Sequence, residues 1–142
     1  MNQSAEFWKN MSVADEQKIL TDFENSKSKF MLVAVSENKI IAGMGFVGYQ
    51  AEFVKHRGQL GMSIQQAFSN SGLGTEMMKY TIGLAKEFGF HKIELSVRTY
   101  NAPGIALYEK VGFKRIGLLR DAAFIEGKYV DEYSYQLVFG ED

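Results

Sequence analysis

The 142-residue chain is predicted to be one α+β domain with a mixed, mostly antiparallel sheet flanked by helices, and three stretches predict it. Leu60-Gly-Met-Ser-Ile64 reads as a strand that leads through Ser69-Asn-Ser-Gly-Leu-Gly74 straight into an amphipathic helix. Residues 92 to 98 alternate Ile93, Leu95 and Val97 with Lys92, Glu94 and Ser96, the period-two pattern of a half-buried strand. The last quarter reads as a β-hairpin, with Glu126-Gly127 in its connection and Tyr133, Tyr135, Leu137 and Phe139 sharing one face of the final strand. A strand-helix-strand crossover and antiparallel hairpins therefore coexist, which defines a mixed sheet.

The elements follow in order. Ser12 is expected to cap a helix over 13 to about 25, with Asp15 in its first turn and a thin apolar face of Val13, Leu20 and Phe23. Phe30 to Val35 reads as a buried strand, Ser36 to Lys39 as a hairpin turn and Ile40 to Tyr49 as a second strand. Ala51 to Gly58 is polar and reads as a loop, and Gln59 to Ala67 as a third strand. The helix that follows sets Leu73, Met77, Tyr80, Leu84 and Phe88 on one face and Glu76, Lys79 and Lys86 on the other. Gly89 suits a left-handed C-terminal cap, over which Phe90 closes. Asn101-Ala-Pro103 carries a capping asparagine and a first-turn proline, so a second helix starts there and stops at Gly112. Phe113 to about Leu119 and Val130 to Phe139 are the arms of the closing hairpin.

Composition removes several function classes. Without cysteine there is no disulfide framework, thiolate metal site or thiol nucleophile, and two histidines far apart in sequence make no ligand cluster, so no metal is expected. A formal net charge of -1 gives no whole-chain attraction to nucleic acid or to an anionic membrane. No apolar run approaches membrane-spanning length, and the N-terminal residues lack a signal peptide's apolar core, so the expected location is cytoplasmic. One proline and no low-complexity stretch argue for one domain over 1–142.

The turn at 69 to 75 carries the first chemical signal. Gly72 and Gly74 remove the Cβ atoms that would block a close backbone approach, and the N–H groups opening a helix lack partners within it. The helix dipole adds positive potential at the same place, so such a turn suits a phosphate or pyrophosphate.

Two segments together resemble one family. The strand-turn-helix with Gly72-Leu73-Gly74 resembles the acetyl-CoA-binding signature of the GNAT superfamily of N-acetyltransferases. Asn101-Ala-Pro-Gly-Ile-Ala-Leu-Tyr-Glu-Lys-Val-Gly-Phe113 resembles that superfamily's next motif, and the likeness extends over about 30–139. Glu126-Gly-Lys-Tyr-Val-Asp-Glu-Tyr133 is similar to the branch of ribosomal-protein N-terminal and small-molecule amine acetyltransferases.

The resemblance implies a site. Backbone groups of Ile64, Gln65 and Gln66 would hold the pantetheine arm of acetyl-CoA, and Ser69, Asn70, Ser71, Gly72, Leu73, Gly74 and Thr75 would cradle its pyrophosphate. Asn101 would hydrogen-bond the cofactor's amide arm, and Tyr108 would stand near the thioester sulfur as general acid. The family usually places Arg or Gln where this chain has Ser69, and often Gly where it has Asn70. Losing the arginine removes a charge-assisted phosphate contact, for which Lys110 and Lys114 are the candidate replacements. The family also begins with a strand and a helix that the sequence before Ser12 does not display. Without that strand, residues 30 to 35 would form an open edge suited to pairing with a second copy as a homodimer.

The implied reaction is direct transfer of an acetyl group to a primary amine on a small molecule or a protein N-terminus. Polarising the thioester carbonyl falls to a strand N–H near Ile64, and protonating the sulfur to the Tyr108 phenol. The base stays open among Glu52, His56, Glu94, Asp121, Asp131 and Glu132, with Glu94 reading better as a solvated residue or a cross-strand partner and His91 as a surface residue. Of the alternatives, a non-catalytic acyl-CoA-binding module is motivated by Ser69 and opposed by Tyr108. A nucleotide-binding domain is weaker, because the turn lacks a Gly-Lys-Ser/Thr sequence.

Overall fold

The computed structural model describes residues 8–14, 17–26, 28–64 and 72–140. Its elements run β1 (Trp8–Ala14), β2 (Gln17–Ser26), β3 (Lys29–Ser36), β4 (Lys39–Gly48), β5 (Arg57–Ile64), α1 (Leu73–Glu87), β6 (Lys92–Arg98), α2 (Ala102–Lys110), β7 (Lys114–Ile125) and β8 (Lys128–Val138). The strands form one sheet in the order β1-β2-β3-β4-β5-β6-β8-β7, antiparallel throughout except for the parallel β5-β6 pair. This is the mixed α+β architecture that the strand and helix patterns predict.

The N-terminal segment corrects the sequence reading. Residues 8–14 and 17–26 form a hairpin, not a helix over 13 to 25, and β2 lies antiparallel to β3 with Thr21 opposite Leu32. A three-residue apolar face offers a helix little to bury, whereas the open main chain of β3 offers a strand a full ladder. The same pairing removes the open edge at 30 to 35, and with it the ground on which a homodimer was expected there. The outer strands are β1 and β7. Strand β5 also begins at Arg57, inside the expected loop.

The turns behave as their residues dictate. Glu37 and Asn38 both take positive φ, 51° and 63°, the left-handed pair that a two-residue hairpin between right-twisted strands requires. Glu126 and Gly127 do the same between β7 and β8. At the end of α1, Gly89 sits at φ 92° and the Phe90 N–H reaches back 3.0 Å to the Ala85 carbonyl, so the cap forms as expected.

Both helices lie on one face of the sheet. Phe30, Leu32, Met44 and Phe46 from that face meet Met77, Met78 and Ala85 of α1, while Tyr108 of α2 packs near Tyr135 and Phe113. The buried stripe of α1 is rotated from the one read in the sequence: Thr81 and Ala85 are inside, and Tyr80, Leu84 and Phe88 are only partly covered. Small residues on the buried line let the helix axis approach the strands.

What positions the site is the way β5 and β6 part. They pair only over Arg57–Gln59 and Lys92–Glu94. Beyond that, β5 stays with β4 as far as Ile64, and β6 stays with β8 as far as Arg98. The sheet is thus two antiparallel halves joined at a short parallel seam, with a wedge opening away from it.

Candidate active site

On the helix side of the diverging strands, between β5, the start of α1 and α2, lies a cavity of about 620 Å³. Met62 and Ile64 of β5 form one wall, Gly72, Gly74 and Thr75 at the start of α1 a second, and one flank of α2 the third. The volume falls within the range of small-molecule sites. Past Gln59 the main chain of β5 has no strand partner among the described residues on the side facing β6, so alternate N–H and C=O groups there suit a ligand.

At the start of α1 the backbone arrangement follows from two glycines with different duties. Gly72 is the N-terminal cap residue at φ 87°, with no atom of the described residues within 4 Å of where a Cβ would stand. Its need for glycine is therefore conformational. Gly74 lies where three elements converge: a Cβ would stand 3.1 Å from Ile64 Cδ1 and 3.1 Å from Leu107 Cδ2. The first intrahelical bond runs from the Glu76 N–H to the Gly72 carbonyl, 3.1 Å, so the N–H groups of Leu73, Gly74 and Thr75 have no acceptor within the helix. No side chain caps this helix start among the described residues. Three donors without a partner in the helix, and the positive dipole end, beside a cavity suit a phosphate.

Asn101 is the cap of α2. Its Oδ1 accepts the Gly104 N–H at 3.0 Å, and Pro103 occupies the first turn, as the sequence predicts. The cap engages the amide oxygen and leaves the Nδ2 donor on a residue that lines the cavity.

Tyr108 also lines the cavity and is 6% exposed. Burial pushes its phenol above the ordinary value of 10.0, with no charged neighbour contributing. The group therefore stays protonated at neutral pH, as a proton donor must. Lys110, the last residue of α2, brings an ammonium group to the same cavity.

Of the residues expected at the site, Ile64, Gly72, Gly74, Thr75, Asn101, Tyr108 and Lys110 are brought together around one cavity. Leu73 turns its side chain into the core and has only its backbone to offer. Gln65, Gln66, Ser69, Asn70 and Ser71 lie outside the described residues. Lys114 is not part of the lining; it stands on β7 opposite Gln136. Met62, Pro103, Ala106 and Leu107 line the cavity without having been singled out. The spacing 103, 106, 107, 110 is one helix face, and it was the signal available for them.

None of the base candidates reaches the cavity wall. Glu94 accepts hydrogen bonds from Arg57 (3.1 Å from Nη2 to Oε1) and from the Tyr49 hydroxyl (3.0 Å). Burial alone would raise its pKa, but those bonds and the charges of Arg57 and Lys92 win, and the carboxyl is held below the ordinary range. A carboxylate so stabilised is a poor proton acceptor. Glu52 pairs with Lys55 at 3.3 Å, and Asp131 Oδ1 accepts the Asp121 N–H at 2.8 Å. The His56 and His91 rings are neighbours, 6.1 Å between centroids. Among the described residues, no three His, Cys, Asp or Glu side chains are grouped to hold a metal, and no helix is long and apolar enough to cross a membrane.

Comparison with known proteins accords with this arrangement. The chain is 28% identical over 103 residues to the L-amino acid N-acetyltransferase AaaT of Escherichia coli, a match covering 72% of this chain and 64% of that protein. It thus spans under two thirds of that relative's length. A GNAT-family acetyltransferase from Streptococcus pneumoniae superposes with a TM-score of 0.77 at 30% identity, over 82% of this chain and 70% of the other. The yncA protein of Salmonella typhimurium, solved with its cofactor acetyl-CoA, shares the fold at a TM-score of 0.74 and 19% identity, over 82% and 68% of the two chains. The model of the Acetyltransferase (GNAT) family matches residues 3–113, most of the folded chain and all of the cavity wall, and the chain belongs to that family.

Proposed function

We propose that this protein is an acetyl-CoA-dependent N-acetyltransferase that transfers the acetyl group directly to a primary amine of a small molecule or a peptide N-terminus. The observation that carries the reading is the convergence, on one cavity, of free helix N-terminal donors, an unpaired strand edge and a buried protonated phenol. The residues fit the cosubstrate part by part. The N–H groups opening α1 suit the pyrophosphate, Lys110 adds a balancing charge, and the free edge of β5 suits the amide-bearing arm.

Acetyl-CoA supplies an activated acyl group as a thioester. The neutral amine attacks the carbonyl carbon, the C–N bond forms, and the C–S electron pair leaves with sulfur. A backbone N–H of β5 near Ile64, a residue of the cavity wall, would bond the carbonyl oxygen as charge builds on it. The Tyr108 hydroxyl gives its proton to the departing sulfur, and the proton lost from the amine passes to water. No acidic or histidine side chain lines the cavity among the described residues, which favours solvent as the final proton acceptor.

An acceptor bearing an amine enters from the side of the wedge opposite the helices in this reading. A homodimer is part of the proposal through β7, an outer strand whose Ile116, Leu118 and Phe124 are exposed. A cytoplasmic setting follows from dependence on acetyl-CoA, a metabolite of the cell interior.

The test is Tyr108→Phe. Thiol release with a panel of amines should fall by roughly 10²-fold or more in kcat, the usual worth of a positioned acid. Acetyl-CoA binding should stay within about twofold of the parent, because only the hydroxyl is lost. Parental turnover would remove Tyr108 from the chemistry.

A further inference from the structure

The seam between the two half-sheets is held on the face away from the helices by a charged cluster. Arg57 of β5 grips Glu94 of β6 with two nitrogens, Nε at 2.5 Å from Oε2 and Nη2 at 3.1 Å from Oε1. Tyr49, just beyond β4, donates its hydroxyl to the same carboxylate, and the Arg57 guanidinium lies over the Tyr49 ring at 4.8 Å. Lys92 stands 3.5 Å from Glu94 and also donates to Gln136 of β8 at 2.5 Å. The cluster thus ties the main chains of β4, β5, β6 and β8 together.

We infer that the Arg57–Glu94 pair is a positioning element for the cofactor cleft: it fixes the angle at which β5 and β6 part, and so the distance from the β5 wall of the cavity to the wall formed by α2, the helix that follows β6. This deepens the function proposed above and rests on it. Each half-sheet is held by a long antiparallel ladder, β5 with β4 and β6 with β8. Their shared main-chain pairing covers three residues of each strand, in the parallel arrangement, which is the weaker one per residue. A short parallel seam resists shear poorly. A two-pronged arginine-carboxylate contact fixes both distance and orientation across it. The Glu94 side chain is 16% exposed, so solvent screens the pair less than an ordinary surface ion pair. The pair lies at the vertex and the cavity at the opening. A small change of angle at one is therefore a larger displacement at the other. The wall that would move carries Met62 and Ile64.

The test uses the full chain with Arg57→Gln, Glu94→Gln and the exchanged double variant Arg57→Glu with Glu94→Arg, each assayed well below its own Tm. The single variants should raise KM and Kd for acetyl-CoA by on the order of tenfold, with kcat at saturation within about twofold, the signature of lost ground-state positioning. The exchanged pair should recover at least part of that loss. Amide exchange measured without ligand should quicken at 57–59 and 92–94 in the single variants. Parental acetyl-CoA affinity in both single variants, with only Tm lowered, would overturn the inference and leave the pair a stabilising contact. Failure of the parent chain itself to bind acetyl-CoA would overturn the functional reading first, and this inference with it.

Discussion

The two ends of β5 are built for opposite purposes. At its start, every direction is filled. Phe46 stacks on Phe30 with centroids 5.0 Å apart and meets Phe90 edge-on at 4.8 Å. Gly58 is glycine because a Cβ there would overlap the Phe46 ring, and a Cβ at Gly48 would come within 2.6 Å of Phe90. On the other face the Arg57–Glu94 cluster closes the seam. At the far end, Met62 and Ile64 face a cavity, and among the described residues the main chain has no strand partner toward β6. Unpaired main chain inside a protein is costly unless something bonds it. Here it lies where an extended, amide-rich ligand arm would supply the missing partner. Dense packing at one end is what allows the sheet to leave the other end open without coming apart.

That contrast can be broken most strongly with glycine. Gly58→Ala should destabilise by about 1–3 kcal/mol, the usual cost of forcing extra volume into a packed core, and should lower Tm accordingly. Gly61→Ala, three residues along the same strand, should change stability by less than about 0.5 kcal/mol, since nothing lies within 4 Å of the added methyl. Equal melting temperatures for the two variants would mean that the seam is not the tight end.

A smaller effect belongs to the open end. Asn101→Ala removes the only side-chain cap on the start of α2 and should cost about 1 kcal/mol in thermal or urea unfolding. It should also weaken acetyl-CoA binding, because the same residue lines the cavity. A stability loss with parental binding would confine Asn101 to the cap.

The smallest expected effect is a pH dependence. Glu94 has its pKa lowered in the folded state, the hydrogen bonds from Arg57 and Tyr49 outweighing burial. A lowered folded value means that its contribution to stability is fully present above the ordinary glutamate range and is lost as pH falls through the folded value. The parent should thus lose slightly more stability on acidification below that range than Glu94→Gln does. Parallel pH-stability curves for the two would show that the carboxylate contributes nothing as a charge.

Much of this was legible in the sequence where the determinant is local. The Asn101 cap, Pro103 in the first turn, the Gly89 cap and the turn glycines each act within a few residues of themselves, so their chemistry can be read from the chain alone. The alternation at 92 to 98 fixed a strand and its buried face correctly. What was hidden depends on partners distant in sequence. The segment at 8 to 26 is strand because β3 presents an edge to it, and its own apolar spacing does not reveal that. Glu94 was readable as a cross-strand residue but not as the vertex of a cleft, since Arg57 and Tyr49 lie 37 and 45 residues away. Ser69 to Ser71, on which the phosphate reading leaned, lie outside the described residues, and the helix start at Gly72 to Thr75 carries that reading in their place.

The most direct test of the account is isothermal titration of the purified protein with acetyl-CoA, free CoA and ATP in parallel. The account predicts micromolar binding of acetyl-CoA, with free CoA also bound through its shared pyrophosphate and pantetheine, and no heat from ATP. Silence with acetyl-CoA, or ATP binding as tightly, would contradict the assignment of the cavity between β5, α1 and α2 as an acetyl-CoA site.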